Sequence, residues 1–486
     1  MNDAKAAQAP EAGSAPAPGA GAGAGAEVAS ASVPGAGAAS ASAPAIPDPV
    51  GELLATLGRG GHAAYVVGGC LRDALLGRTP ADWDLTTDAP PDRIVELFPD
   101  SLYENRFGTV VVRHGEDQYE ITTFRRDVSY SDHRHPDAVE FGRSIEEDLA
   151  RRDFTVNAMA WGGRAGEEPR FVDPHDGRGD LSAHLLRAVG DPDRRFHEDA
   201  LRMVRAVRLA AALDFSMEPS TLEAVGRCAE LARHLSGERV GAELAKLLGA
   251  PSPSVGLRLM AETGLLAVLA PDLERQRGMG QNKIEGEDLW DHTLRTVDAT
   301  PNRPLVRMAG LLHDIGKPDT LADGHFHNHD AVGATLARRF LAEIHAPRLL
   351  QERVAHLIRH HMFDYQPNWT DAAVRRFIRK VGPGSIDDLI ALRIADNVGS
   401  GVPPEAGGLP ELVQRVGAEL AAHAVLGRAD LAVDGRDLIA ELGLRPGREL
   451  GRLLEELTES VIAEPALNDR AILLELARHR LGGKGD

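Results

Sequence analysis

The stretch from Val66 to Asp84 constrains this chain more than any other. It reads Val-Val-Gly-Gly-Cys-Leu-Arg-Asp-Ala-Leu-Leu-Gly-Arg-Thr-Pro-Ala-Asp-Trp-Asp. Tyr65, Val66 and Val67 form the β-branched and aromatic run that suits a strand. Gly68 and Gly69 carry no Cβ and let the backbone approach a ligand closely. Leu71, Ala74 and Leu75 recur at helical spacing, so a short helix is expected next, its N-terminal N–H groups facing a phosphate. Arg72 falls in the first turn, where a cation opposes the helix dipole and a nearby anion removes the conflict. Asp82 and Asp84 alternate around Trp83, and on a strand both carboxylates point to one face. Two oxygen ligands on one face are what Mg²⁺ needs to bridge a triphosphate and a hydroxyl. Singly, Gly-Gly or Asp-x-Asp describes a turn or a solvated acidic pair; the ordered combination is far more specific.

That combination resembles the nucleotidyltransferase head of the polymerase-β superfamily, in the branch of tRNA CCA-adding enzymes and poly(A) polymerases. Two later segments extend the resemblance. Arg151-Arg152-Asp153-Phe154-Thr155-Val156-Asn157-Ala158 matches the branch's Arg-Arg-Asp-Phe-Thr-x-Asn-Ala motif. The resemblance implies that Arg152 and Asp153 contact the sugar of the incoming nucleotide; a carboxylate there can accept from a ribose 2′-OH. A local Arg–Asp pair at a helix start is the structural alternative. Between the two motifs, Arg125 to Phe141 is polar and aperiodic and reads as a mobile loop. The resemblance implies that this loop helps the switch from adding C to adding A.

Glu198-Asp199-Ala200-Leu201-Arg202 matches the Glu-Asp-x-x-Arg motif to which the branch assigns base selection. Ala200, Met203, Val204, Val207 and Ala211 form an apolar helical stripe, with Asp199 and Arg202 off it and three apart. They make either an ordinary i,i+3 salt bridge or a base-reading pair. A carboxylate accepts from the exocyclic amine of cytosine or adenine, and a guanidinium donates to the adjacent ring nitrogen. Uracil and guanine reverse both contacts, and buried hydrogen-bonding sites reject such mismatches by on the order of 10⁴ or more. Arg195, Arg205 and Arg208 add positive charge suited to a triphosphate or an RNA end. Glu120, on an alternating segment, is either a third carboxylate of the metal site or an exposed strand residue.

A second constellation follows in helical contexts: His292, His313-Asp314, His329, His360-His361 and Asp396. Imidazoles and carboxylates converging from several helices suit a divalent transition metal. Their order resembles the HD phosphohydrolase superfamily. The resemblance implies hydrolysis at damaged or phosphorylated tRNA 3′ ends; a metal-bound structural module is the alternative.

The chain has 54 basic and 73 acidic residues, a net charge of −19, which argues against indiscriminate coating of nucleic acid but leaves room for a local basic groove. Two cysteines, Cys70 and Cys228, exclude a disulfide framework and a cysteine-rich zinc site. No secretion signal or membrane-spanning run is read, so the cytoplasm is expected and a membrane partner is not. Residues 1–47 are almost all Ala, Gly, Pro and Ser and are expected to be a disordered tail. The expected fold is α+β: a head at 48–165 with a mixed or antiparallel sheet and helices, an all-α neck at 166–280, an HD domain at 281–400 and a helical tail at 401–486. The expected activity is template-independent addition of C, C and A to tRNA from CTP and ATP. Asp82 and Asp84 would hold two Mg²⁺ ions, while Gly68, Gly69 and Arg72 cradle the triphosphate. A poly(A) polymerase, or a chain that is mainly an HD phosphohydrolase acting on RNA ends, are the rival readings.

Overall fold

The computed structural model describes residues 43–103, 108–127, 139–142, 144–164, 166–281, 283–422 and 426–482. The tail expected over residues 1–47 lies outside the described residues up to residue 42, and so do residues 128–138 of the loop expected between Arg125 and Phe141. Among the described residues, nine strands occupy the first part of the chain: β1 Ala64–Val67, β2 Asp84–Thr87, β3 Ser101–Tyr103, β4 Thr109–His114, β5 Asp117–Thr123, β6 Arg125–Asp127, β7 Val139–Phe141, β8 Ala160–Gly163 and β9 Arg170–Val172. Seven of them form one sheet in the order β3-β4-β5-β2-β1-β8-β9. Only the central β2–β5 pair is parallel; the other neighbours are antiparallel. β6 and β7, the two ends of the polar loop segment, pair with each other as an antiparallel ribbon.

β1 lies inside this sheet and is buried along its whole length. Ala64 and Val66 face one core with Leu85, Val110 and Ile121, while Tyr65 and Val67 face a second with Phe124, Leu149 and Ala160. Burial on both faces accounts for the continuous apolar run, which an alternating half-buried strand would not show. β9 lies beyond residue 165, where the head was expected to end. β9 pairs antiparallel with β8 and so keeps the chain beyond residue 165 in the same sheet.

The remainder is mostly helical. Leu201–Leu213 packs against Gly237–Leu248 and Pro253–Glu262. Leu289–Ala299, Pro304–Leu312, His329–Glu343, Arg348–His360 and Ile386–Gly399 then pack on one another. The last helices enclose a separate apolar cluster that includes Val433, Leu438, Leu453, Leu457, Val461 and Leu473. Arg375 ties it to the preceding helices: its Nε donates to the Ile462 carbonyl at 2.6 Å and its Nη1 to Glu419 at 2.9 Å. Among the described residues, no helix is long and apolar enough to cross a membrane.

Candidate active site and metal centre

The glycine turn after β1 is built as its residues require. Gly68 has φ +81°, ψ −145°, a conformation essentially confined to glycine. A Cβ there would stand 3.0 Å from Arg152 Nη1 and 3.6 Å from Asp84 Oδ2. The backbone thus passes directly beneath two of the expected site residues. Gly69 begins the short Gly69–Leu75 helix. Arg72 does not reach toward an external anion. It is buried, with Nε and Nη2 each donating to Asp73 at 2.9 Å and Nη1 to Asn157 at 2.6 Å. The neighbouring acid supplies the anion that its position demanded, and Arg72 braces the glycine turn against the Thr155–Asn157 segment.

β2 begins at Asp84, so Asp82 stands in a bend before the strand and is exposed. The strict alternation expected for the pair therefore covers only Asp84. The two carboxylates are nonetheless close enough to interact: burial first, then repulsion from Asp82, pushes the Asp84 carboxyl above its ordinary range. Across the parallel pair, Asp84 lies in register with Glu120, so both side chains leave the same face. Asp84 and Glu120 share a face, with Asp82 near enough to repel Asp84, and a divalent cation there would relieve that repulsion.

Asp84 and Glu120, but not Asp82, line a cleft of about 400 Å³ together with Arg125, Arg151, Arg152, Asp153, Asp199, Arg202, Arg205 and Arg239. Asp148, fully buried, underlies its basic wall, accepting from Arg151 at 2.7 Å and Arg152 at 3.2 Å. Burial alone would raise the Asp148 carboxyl, but the two guanidiniums more than offset this and hold it below the usual range. Arg152 Nε is buried without a hydrogen-bond partner. Asp153 accepts from Asn157 at 3.1 Å through Oδ1 and from Arg205 Nε at 2.8 Å through Oδ2. Its burial is outweighed by Arg205 and Asn157, so it stays ionised.

The Glu198–Arg202 motif does not lie on one helix. The Pro192–Glu198 helix ends at Asp199, whose backbone is extended at φ −147°, ψ 105°, and the next helix begins at Leu201. The i,i+3 helical neighbourhood expected for Asp199 and Arg202 is therefore replaced by a kink, and each side chain has other partners. Asp199 accepts from the Leu201 N–H at 3.0 Å and from Arg239 at 2.8 Å. Arg202 donates to Glu198 at 3.0 Å and to the Arg151 carbonyl at 2.9 Å. Both line the cleft. Arg239, from the Gly237–Leu248 helix, is a site residue that sequence reasoning missed. Of the three additional arginines expected to add charge, Arg205 lines the cleft. Arg195 instead bonds the Ala150 carbonyl and Glu198, and Arg208 bonds Glu243.

The second constellation assembles in the helices. His292 Nε2 lies 3.0 Å from His313 Nε2, 3.3 Å from Asp314 Oδ2 and 3.3 Å from Asp396 Oδ1. His329 and His361 present Nε2 to Asp314 Oδ1 at 3.5 and 3.9 Å. Two groups suited to a metal ion result, His292–His313–Asp314 and Asp314–His329–His361, sharing Asp314. Backbone carbonyls orient three of the rings: His313 Nδ1 lies 2.8 Å from Gly310 O, His329 Nδ1 2.9 Å from Phe326 O and His361 Nδ1 2.6 Å from Ile358 O. Each Nδ1–H then donates outward and leaves Nε2 free to ligate. His329 Nε2 is buried with no hydrogen-bond partner, an orphan that a metal ion would satisfy. Gly316 permits the approach, since a Cβ there would come within 2.4 Å of the His329 carbonyl. His360 does not belong to this cluster. It is half-buried beside His356, ring centroids 4.6 Å apart, and burial together with His356 lowers its pKa to about 4. Two lysines missed in the sequence stand at the centre: Lys317 Nζ is 2.6 Å from Asp314 Oδ2, and Lys283 Nζ is 3.5 Å from Asp396 Oδ1.

Three family models match in succession: the poly A polymerase head domain over residues 64–187, the probable RNA and SrmB-binding site of polymerase A over 214–277, and the HD domain over 281–400. The CCA-adding enzyme of Limosilactobacillus reuteri (strain DSM 20016) is 32% identical over 441 residues, covering 89% of this chain and 96% of the relative. That of Geobacillus stearothermophilus is 32% identical over 441 residues, covering 88% and 96%. The crystal structure of the Bacillus stearothermophilus CCA-adding enzyme in complex with CTP superposes with a TM-score of 0.69 at 30% identity, covering 90% of this chain and 100% of that one. The Thermotoga maritima enzyme complexed with tRNA shares the fold at a TM-score of 0.57 and 18% identity, over 90% of this chain and 96% of its own. With relatives matched almost end to end, and with the head motifs gathered on one cleft, this chain belongs to the CCA-adding enzymes.

Proposed function

We propose that the chain adds C, C and A to tRNA 3′ ends from CTP and ATP without a nucleic-acid template. The observation that carries this reading is that Asp84, Arg152, Asp153, Asp199 and Arg202, from three separate sequence segments, line one cleft. In the reaction the RNA 3′-hydroxyl oxygen attacks the α-phosphorus and the bond to pyrophosphate breaks. Asp82, Asp84 and Glu120 would hold Mg²⁺, which acidifies the hydroxyl and neutralises charge on the leaving pyrophosphate. Asp153, kept ionised by Arg205 and Asn157, accepts from the ribose 2′-OH while Arg152 holds the sugar on its other side. Asp199 and Arg202 read the base edge, and the partners that hold each of them set their directions before nucleotide arrives. Such preorganisation is what lets two side chains replace a template. Gly68 keeps the backbone low enough for a triphosphate beside Asp84, and Arg205 adds charge along the cleft.

The poly(A) polymerase reading is not favoured, because the relatives matched over nearly their whole length are CCA-adding enzymes. The deciding experiment offers tRNA lacking its last three nucleotides with CTP, ATP or both. Extension by three nucleotides only when both are present supports the proposal, and a long A tail on generic RNA overturns it.

The His/Asp cluster we read as a second, hydrolytic centre for a phosphomonoester or cyclic phosphate at RNA 3′ ends, using a divalent transition-metal ion. His292, His313, Asp314, His329, His361 and Asp396 would hold it. Phosphate release from a 2′,3′-cyclic end should be lost in His313→Ala and kept in Asp84→Ala; the reverse pattern removes the assignment. As working domains we take a head reaching to about residue 187, a neck to 280, an HD domain over 281–400 and a tail beyond, in line with the family matches. For a chain working on tRNA with CTP and ATP, the cytoplasm is the compartment we infer.

A further inference from the structure

We infer that Lys283 is a tethered cation: it fills the His292–Asp396 corner of the HD centre in the metal-free chain and withdraws when an ion binds. The inference rests on reading the His/Asp cluster as a metal centre. Lys283 precedes the Leu289–Ala299 helix, and its Nζ stands 3.4 Å from His292 Nε2 and 3.5 Å from Asp396 Oδ1. Those two atoms are themselves 3.3 Å apart, so the ammonium rests on both donor atoms of one would-be coordination edge. An ammonium has three donors and no acceptor, and cannot share lone pairs with an ion that needs them.

The other cations facing the cluster sit on different carboxylate oxygens of it. Lys317 stands against Asp314 Oδ2 at 2.6 Å, and Arg393 against the second oxygen of Asp396, Oδ2, at 3.5 Å. Among the described residues, Lys283 is therefore the cation on the His292–Asp396 edge. Its side chain is 29% exposed, against 0% for His292 and 11% for Asp396. The stem can thus swing toward solvent without opening the core. The segment around it is pinned at its ends, by the Gly278 N–H on Asp288 Oδ2 at 2.6 Å and the Leu289 N–H on the Met279 carbonyl at 2.8 Å. Withdrawal therefore requires a change in one side chain. Metal uptake at this centre is then a displacement of one cation by another, and its affinity is set partly by Lys283.

The test is calorimetric titration of chelator-stripped full-length protein with Mn²⁺, in an Asp84→Asn background that disables the head site, comparing the otherwise wild-type chain with Lys283→Met and Lys283→Arg. Lys283→Met should bind Mn²⁺ about tenfold or more tighter, since a buried charge competitor is gone. Lys283→Arg keeps the charge and should stay near wild type. A second measurement needs no variant: an amine-acylating reagent, read by peptide mass spectrometry, should label Lys283 faster once Mn²⁺ is bound. Equal or weaker binding by Lys283→Met, or labelling unchanged by Mn²⁺, overturns the inference while leaving the metal centre standing. Failure of both wild type and Lys283→Met to bind Mn²⁺ removes the metal-centre reading, and this inference with it.

Discussion

Arg202→Ala separates base recognition from folding, because the structure lets each cost be worked out independently. In the folded chain Arg202 makes two hydrogen bonds, to Glu198 and to the Arg151 carbonyl. Its removal does not strand Glu198, which keeps Arg195 at 2.8 Å and Arg194 at 3.2 Å. No buried charge is left alone, so the expected folding cost is the ordinary one of about 1–2 kcal/mol for lost hydrogen bonds and packing of the aliphatic stem. That corresponds to a Tm lower by a few degrees. The kinetic cost differs by nucleotide. CTP and ATP lose one charge-assisted contact to a ring nitrogen, worth about 1.5–3 kcal/mol, or roughly 10- to 150-fold in kcat/KM. UTP and GTP present a ring N–H at that point and lose a clash, so their kcat/KM should hold or rise. Asp199 still opposes their carbonyls, so discrimination should shrink by about ten- to a hundredfold without vanishing. The assay is single-nucleotide extension of tRNA lacking its last three nucleotides, with each triphosphate in turn, beside a melting curve. A parallel fall for all four triphosphates in a folded variant would refute the base-reading role, as would unchanged ratios.

Three further outcomes follow from the same geometry. Asp84→Asn should abolish nucleotide addition yet raise the Tm of the metal-free chain at pH 7. With its pKa raised by burial and Asp82, the stability Asp84 lends is present below the ordinary carboxylate pKa and lost as pH rises through the raised value; a lower Tm in chelator contradicts this. Asp148→Asn should cost on the order of 3 kcal/mol at pH 7, because two guanidiniums lose their buried counterion. Since the folded pKa of Asp148 is lowered, that difference should be lost as pH falls through the folded value, and denaturant unfolding across pH checks it. His361→Ala should deplete the HD centre of bound metal, measured by elemental analysis, whereas His360→Ala should leave the content unchanged; equal loss in both would return His360 to the ligand set.

What could be read in the sequence was what local pattern encodes. The β1 run and the Gly68 turn are properties of neighbouring residues, and each stands where the pattern put it. What could not be read depends on partners distant in the chain. Arg72 looked free because its second partner, Asn157, is 85 positions away. Nothing local marks Arg239, whose bond to Asp199 spans 40 positions. The kink at Asp199 is a different failure: the apolar stripe from Ala200 onward implied a helix that included Asp199, and periodicity does not report a single extended residue between two helical segments.

The choice between His360 and His361 shows that some of the missing geometry was present as a conflict within a pattern. In the Arg348–His360 helix the buried apolar residues include Val354, Leu357 and Ile358, and the next position on that stripe is 361, since residues three, four and seven apart share a face. His361 is thus a polar side chain on the core face, where an unpaired imidazole would cost free energy, while His360 stands about 100° away on the flank. Asp396 repeats the conflict, continuing the buried stripe of Leu389 and Leu392, and His292 does so three residues after Leu289. A core-facing position is costly for a group that needs water unless something replaces the water. Three helices that each place such a group inward, toward one another, therefore specify a shared ligand more sharply than the bare order of histidines and aspartates does.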